Sequence, residues 1–441
     1  MSNNLTHCPA GLLTRGLAIK IFNQVLSSRN GLENVIATSN AYNQMEGRDR
    51  AFIRLLVATT LRRLGQIDAL IRSYLKRPLP KKSRAVKDIL RIGAAQIILL
   101  ETPAHAVVDT SVRLCEQTRN PGQKGLVNAI LRKISQEGAE KFLALDAAKL
   151  NTPKWLWESW RTQYGDKTCR AIGEAHLHEP PLVLSAKKNP EELSRVLGAE
   201  LLPTGSIMLR SGGMVATLAG YDEGTWWIQD PAAALPAKVL IAAMPLNQKH
   251  RVLDMCAAPG GKTAQLAASG ATVTAIDRSK KRLNTLRANL KRLNLKATIV
   301  AADASTYRPS NTIDGILIDA PCTATGTIRR HPDIARNKRH DDVQRLSQLQ
   351  KQILANAVDQ LLPGSVLVYS VCSLQREEGV YLIQEVLAKN EKIKRLPIDP
   401  LEFGLPVNLQ TQNGDIQTLP CHLKEHGGMD GFFIARLHRI G

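Results

Sequence analysis

No apolar run in the chain is long enough to cross a bilayer. The longest, residues 97–100 and 239–244, fall far short of the roughly 20 residues a spanning helix needs. No basic leader followed by an apolar stretch opens the sequence, so no signal peptide is expected, and residues 1–10 read as a loose tail. Cysteines number seven, scattered and without a Cys-x-x-Cys pair. That argues against a disulfide framework or a zinc ribbon and suits reduced thiols in a cytoplasmic protein. Cys421, His422 and His426 form the one metal-like group; they read better as surface loop residues, and no metal is expected. Acid is scarce: 39 Asp and Glu face 59 Lys and Arg, a net charge of +20. The excess is uneven. Residues 1–140 carry 21 basic against 10 acidic residues, and residues 279–296 carry seven basic residues and no acid. A cation excess gathered in this way fits nucleic-acid phosphate better than solubility alone.

At 441 residues the chain has room for two or three domains. Residues 14–26, 50–64, 67–75, 86–100, 107–118 and 125–135 repeat apolar side chains every three to four positions. They predict amphipathic helices with short polar joints, a basic all-α bundle. Residues 151–250 mix signals: a helix to about 175, a break at Pro180 and Pro181, then short strands, with Trp226 and Trp227 read as core rather than as base-stacking rings. From Val252 onward strands and helices alternate, at 252–255, 272–276, 298–301, 314–318, 365–370 and 431–437. Such alternation predicts an α/β domain with a parallel sheet, and 403–430 reads as loop. The expected division is 1–145 all-α, 146–240 α+β linker and 241–441 catalytic.

The catalytic part is organised around residues 251–263. The run Val252-Leu253 ends at Asp254; a tight turn with Pro259, Gly260 and Gly261 leads into a helix. Strand, glycine turn and helix in that order open a nucleotide-type site. A phosphate loop would need glycine where Cys256 stands, and the dinucleotide pattern Gly-x-Gly-x-x-Gly is absent. Asp277, ending the next apolar run, suits a ribose diol. Asp254, Asp277, Asp303 and Asp319 all sit at strand ends, the edge where open α/β sheets bind ligands. Cys322 and Cys372 each follow an apolar strand and point to that same edge. Either alone reads as filler; the pair beside a cofactor loop reads as chemistry.

The motif Cys256-Ala257-Ala258-Pro259-Gly260-Gly261-Lys262, with Asp319-Ala-Pro-Cys322 and Val371-Cys372-Ser373, resembles the S-adenosylmethionine-dependent RNA cytosine-5 methyltransferases. The resemblance runs from Thr14 to Leu437. The N-terminal helices resemble the NusB-like RNA-binding module, through Arg77-Pro78-Leu79 and Lys124-Gly-Leu-Val-Asn-Ala-Ile-Leu-Arg132. Bundle plus core is like the bacterial 16S ribosomal RNA enzymes of the Fmu/Sun (RsmB) type. The resemblance implies a Rossmann-like methyltransferase sheet, S-adenosylmethionine as cofactor, 16S ribosomal RNA as partner, no membrane, and a monomer. The cofactor would lie against residues 256–262, Asp277, Arg282, Asp303 and Asp319, with Asp277 at the ribose, Asp303 at the adenine and Asp319 near the methionine end and the target base. Asp254 would orient the glycine loop.

Carbon 5 of cytosine is a poor nucleophile. A thiolate added to carbon 6 makes carbon 5 reactive, and a base must then remove the carbon 5 proton. The DNA enzymes attack with the cysteine of Pro-Cys, here Cys322. The RNA family attacks with the later one, which assigns Cys372 as nucleophile and Cys322 to release. Asp319, if protonated, would assist at ring N3, and Lys262 with the basic rim would lower the thiol pKa. Arg329, Arg330 and His331 would grip phosphates around the base, and helix 280–296 offers a second phosphate track. Three departures stand out: Val371 replaces the family's threonine, Arg336 its tryptophan, and Leu184-Ser-Ala-Lys187 its Leu-Arg-x-Asn. Methylation of transfer RNA or DNA, or a non-catalytic assembly role, remain the alternatives.

Overall fold

The computed structural model describes residues 10–210, 215–245 and 248–440. The tail expected over residues 1–10 therefore lies outside the described residues except for Ala10, which opens the first helix. Two compact units emerge: one holds the chain through His178 together with Ile328–Lys338, the other Glu179–Thr327 and Arg339–Gly441. Among the described residues no helix is long and apolar enough to cross a membrane.

The first unit is helical. Its main helices are Ala10–Ser28, Gly47–Arg62, Leu64–Ser73, Arg84–Leu99, Ala104–Glu116 and Lys124–Leu143. They correspond to the six periodic stretches, each starting one to four residues earlier than expected, and four of them ending one or two residues sooner. The buried stripes meet in one core containing Phe22, Val25, Leu56, Val57, Leu90 and Leu131. At full burial each such side chain stabilises the unit by roughly 1.5–3 kcal/mol. One charge cluster is sealed inside: Arg91 donates to Asp68 at 2.6 Å and to Asp88 at 3.0 Å, and Asp88 is fully buried. Residues 146–178 pack with these helices, largely as Lys154–Ala175, while the strands that follow belong to the second unit.

That unit opens with a small antiparallel sheet of β1 (Leu182–Ala186), β2 (Glu200–Leu201), β3 (Ile207–Leu209) and β4 (Trp226–Ile228), ordered β2-β3-β1-β4. Trp226 and Trp227 are buried, as the sequence suggested. Asp230 then caps helix Pro231–Ala242 by accepting from Ala232 N at 2.9 Å. The large sheet follows: β5 (Arg251–Met255), β6 (Thr272–Asp277), β7 (Thr298–Ala301), β8 (Gly315–Asp319), β9 (Val366–Val371), β10 (Ile393–Arg395), β11 (Ile416–Gln417) and β12 (Phe433–Arg439). Its order is β10-β12-β9-β8-β5-β6-β7, with β11 paired to β12.

The sheet is mixed, which corrects the expectation of a parallel one. Strands β5 to β9 run parallel, but β12 is antiparallel to β9 and β10 antiparallel to β12. The chain leaves β9 through helix Val380–Lys389 to β10 and returns from there, through a long segment that contains β11 and no α-helix, to insert β12 between β10 and β9, so nothing requires β12 to run parallel. β10 and β11 were not anticipated; at three and two residues they are too short for alternation to register. β5 lies between β6 and β8, so the chain reverses its direction of travel across the sheet there. The crevice at the carboxyl ends of β5 and β8 is where such sheets bind ligands.

Candidate active site

The turn after β5 is built by backbone geometry. Cys256 (φ 62°) and Gly260 (φ 106°) both adopt left-handed conformations, and the Ala258–Pro259 peptide is cis. Only glycine adopts the second of these angles without strain, and a Cβ there would also sit 3.0 Å from Leu286 Cγ. Beneath the turn Asp254 is fully buried and accepts a 2.6 Å hydrogen bond from Thr263 Oγ1. The bond ties the end of β5 to helix Gly261–Ala268, which follows the turn. Burial pushes the Asp254 carboxyl up to about 7, and its other oxygen has no protein partner. The Cys256 thiol is pushed up to about 12, chiefly by burial, which keeps it protonated and inert.

Next to this turn a cleft of about 390 Å³, including space open to solvent, is lined by Cys256, Asp277, Arg282, Asp303 and Pro321 among others. Asp277 ends β6. Its Oδ1 accepts from Ser279 N at 2.8 Å, and its Oδ2 pairs with Arg282 at 2.8 Å. The same guanidinium also donates to the carbonyl of Ala258, so Arg282 ties the acid to the glycine turn. Asp303 accepts from the N–H and the hydroxyl of Ser305 at 2.9 and 2.6 Å, and those bonds lower its pKa. Two carboxylates along one cleft beside a glycine turn fit the diol and amino group of an adenosine cofactor.

The two thiols meet. Sγ of Cys322, three residues past β8, lies 3.5 Å from Sγ of Cys372, the residue after β9. Asp319 ends β8. Its Oδ2 receives Lys262 Nζ at 2.7 Å, and Ser370 Oγ lies 3.3 Å from its Oδ1. The Lys262 ammonium also sits 5.3 Å from the centre of the Phe432 ring, a cation–π arrangement. The expected lowering of thiol pKa is not found at Cys322. Its thiol is pushed well above the usual range, first by the hydrogen bond it shares with Cys372 and then by burial. Lys262 is committed to Asp319 instead.

Sequence reasoning missed a buried glutamate behind the sulfurs. Glu378 Oε1 accepts from Thr323 N at 2.9 Å and from Gln350 Nε2 at 3.1 Å. Its Oε2 accepts from Ser373 Oγ at 2.5 Å and from the Thr323 hydroxyl. Gln350 also donates to Pro321 O, at 2.9 Å. In the sequence Glu378 stands beside Glu377 in a polar stretch, and nothing there marks one as buried and its neighbour as exposed. The closing motif is held nearby. Gly326 N donates to Cys372 O at 3.0 Å and Gly431 N to Gly326 O at 2.9 Å. A Cβ on Gly326 would lie 2.0 Å from Gly431 O, so no other residue fits. Val371 is buried in the sheet core and Asp430 N donates to Asp230 at 2.9 Å.

Arg329, Arg330 and His331 fall in the segment that packs with the helical unit. Arg329 is only 3% exposed, and its carbonyl accepts from Arg62 at 2.5 Å. Arg330 and His331 are half-buried, and burial lowers the His331 pKa. Arg336, where the family has tryptophan, donates to Asn151 O at 2.9 Å and is pushed down to about 10 by burial. In this conformation Arg329 faces protein rather than solvent. Lys187 donates to Leu293 O at 2.6 Å. His422 Nδ1 accepts from Leu419 N at 3.1 Å and His426 pairs with Glu200 at 2.6 Å, so both rings have local partners.

Residues 241–438 match the model of the 16S rRNA methyltransferase RsmB/F family, and residues 13–136 that of the NusB family. The ribosomal RNA small subunit methyltransferase B of Pseudomonas syringae pv. tomato is 32% identical over 96% of this chain and 96% of its own length. The protein of the same name from Escherichia coli O1:K1 / APEC is 33% identical, over 96% and 98%. Among solved structures, the fold is shared with PH0851 (TM-score 0.74, 22% identity, 99% of this chain and 100% of that one). It is also shared with a methyltransferase homologue from Pyrococcus horikoshii (TM-score 0.54, 24% identity, 67% and 98%). With relatives of this identity matched from end to end, the chain belongs to the RsmB/F family of 16S rRNA methyltransferases.

Proposed function

We propose that the protein methylates carbon 5 of one cytidine in 16S ribosomal RNA, with Cys372 as covalent nucleophile and Cys322 serving its release. That it is an S-adenosylmethionine-dependent rRNA methyltransferase follows from its family. The covalent reading rests on one observation above all: two free thiols 3.5 Å apart at the sheet edge that carries Asp319 and Lys262. S-Adenosylmethionine supplies the electrophilic methyl group when bound along the cleft of Asp277 and Asp303.

The chain's own residues do the rest. The Cys372 thiolate bonds to carbon 6, and the electron pair of the carbon 5–carbon 6 double bond moves to carbon 5, which takes the methyl. The carbon 5 proton then passes to solvent in the open cleft, its bonding pair re-forms the double bond, and the carbon–sulfur bond breaks with its pair returning to Cys372 as the thiolate. Cys322, held protonated by its surroundings, donates a hydrogen bond to the returning Cys372 thiolate. Lys262 fixes the carboxylate of Asp319 beside the base. To donate to ring N3, Asp319 must take up a proton and turn one oxygen away from its present partners.

The exposed face of helix Lys280–Arg292, with Lys280, Lys281, Arg287 and Lys291, supplies a phosphate track, and Arg330 and His331 a second contact. A monomer in the cytoplasm completes the proposal. Labelled methyl donor offered with naked 16S RNA, transfer RNA and DNA tests it. Wild type is expected to label only 16S RNA, Cys372→Ser nothing, and Cys322→Ser to accumulate a protein–RNA adduct. An adduct from Cys372→Ser instead would exchange the two roles, and label in no substrate would favour a non-catalytic assembly factor.

A further inference from the structure

Each reactive cysteine is followed by a hydroxyl residue, Thr323 after Cys322 and Ser373 after Cys372, and both hydroxyls donate to the same carboxylate. That carboxylate, Glu378, touches neither sulfur in any hydrogen bond. We propose that Glu378 is a positioning residue that locks the Cys322 loop to the Cys372 loop and so sets the spacing of the two thiols. The proposal rests on the reading of these cysteines as the reacting pair and adds what holds them in register.

Three features carry it. First, the bonds cross between loops: Thr323 gives both its N–H and its hydroxyl, Ser373 its hydroxyl, and Gln350 ties in the helix His340–Val358. Second, Glu378 is itself fixed, because the Tyr369 hydroxyl donates to its carbonyl at 2.7 Å. Third, the chemistry suits a carboxylate. It is acceptor-only with about four lone-pair sites, so it can take four donors from three segments without having to place a hydrogen of its own. A carboxyl buried for packing alone would be costly, and burial does push the Glu378 pKa up against the lowering effect of these bonds. Glu377 next to it is exposed and cannot substitute.

The test reads thiol spacing directly. Diamide oxidises two thiols to a disulfide and is itself reduced to the hydrazine, taking up two protons and two electrons. The rate of Cys322–Cys372 cross-linking, followed by peptide mass spectrometry on the full-length protein, needs neither RNA nor methyl transfer. Glu378→Ala is expected to slow it at least tenfold. The same variant should lower kcat for methylation about 100-fold, with KM for RNA within twofold of wild type. Glu378→Gln keeps one acceptor oxygen and places an amide toward the hydroxyls, and is expected to restore most of both. If Glu378→Ala does not fold, Thr323→Val and Ser373→Ala each remove one tie and should give smaller losses of the same kind. Wild-type cross-linking in Glu378→Ala, or in both single-tie variants, overturns the proposal, as does equal loss from Gln and Ala. Slowed cross-linking in Glu378→Ala together with no RNA adduct from Cys322→Ser leaves Glu378 as the lock and removes the covalent reading instead.

Discussion

Lys262 and Asp319 face each other at 2.7 Å with the ammonium only partly exposed, so removing either leaves the other without its charge partner. Lys262→Ala is expected to fold, because the ammonium engages one carboxylate, Asp319, and one aromatic face, Phe432. It should lose about 10²–10³ in kcat, the range for a misplaced acid–base group, read from initial rates of methyl transfer. Asp254 lies under the same loop with its carboxyl raised to about 7 by burial. Since the folded pKa exceeds the unfolded value of about 3.8, this group's stabilising share is complete below the unfolded value. It is lost as pH rises toward and through about 7. Asp254→Asn is therefore expected to flatten the fall in urea stability between about pH 4 and 7 by an amount on the order of a few kcal/mol. A pH profile unchanged by the substitution would mean the carboxyl is ionised when buried. The glycine turn after β5 and the meeting of Cys322 with Cys372 were legible in the sequence because each follows an apolar strand at a short offset. Glu378 and Ser370 were not, because what distinguishes them is burial and partners contributed from residues far along the chain.

Helices and strands were readable where their periodicity was long. The six helices of the first unit and strands β5 to β9 carry apolar runs bounded by acids, glycines or prolines, and they appear where expected. β10 and β11 are too short to show a period, and the reversal of β12 is set by its connection, which the local pattern does not encode. Residues 328–338 show what a local pattern leaves out: Arg329, Arg330 and His331 read as a basic loop gripping phosphates, and in the fold Arg329 and Ala335 are buried with the helical unit while Arg330 and His331 are half-buried. Arg91 offers a test of that unit. It bridges buried Asp88 and half-buried Asp68; Arg91→Ala leaves Asp68 with Lys87 but buried Asp88 with only the Asn23 amide and no cation, and is expected to cost about 3–5 kcal/mol, measured by chemical unfolding. On helix Lys280–Arg292, Arg282 pairs with Asp277, and among the described residues no acid pairs with Lys280, Arg287 or Lys291. The triple variant Lys280→Gln, Arg287→Gln, Lys291→Gln is expected to reduce the slope of log binding constant against log salt by about 2–3. An unchanged slope would remove this helix from the RNA path.

For the molecule as a whole, the charge excess of +20 and the family agree on an RNA-directed enzyme, but charge alone could not separate RNA from DNA or name the reacting atom. The central claim is narrower: a carbon–sulfur bond to Cys372. The measurement that reaches it most directly is peptide mapping of the adduct formed by Cys322→Ser with 16S RNA and S-adenosylmethionine. After nuclease and protease digestion, the account predicts a single cross-linked peptide that contains Cys372 and carries a methylated cytidine. A cross-link at any other residue, or full turnover by Cys372→Ser with no adduct at all, would contradict it.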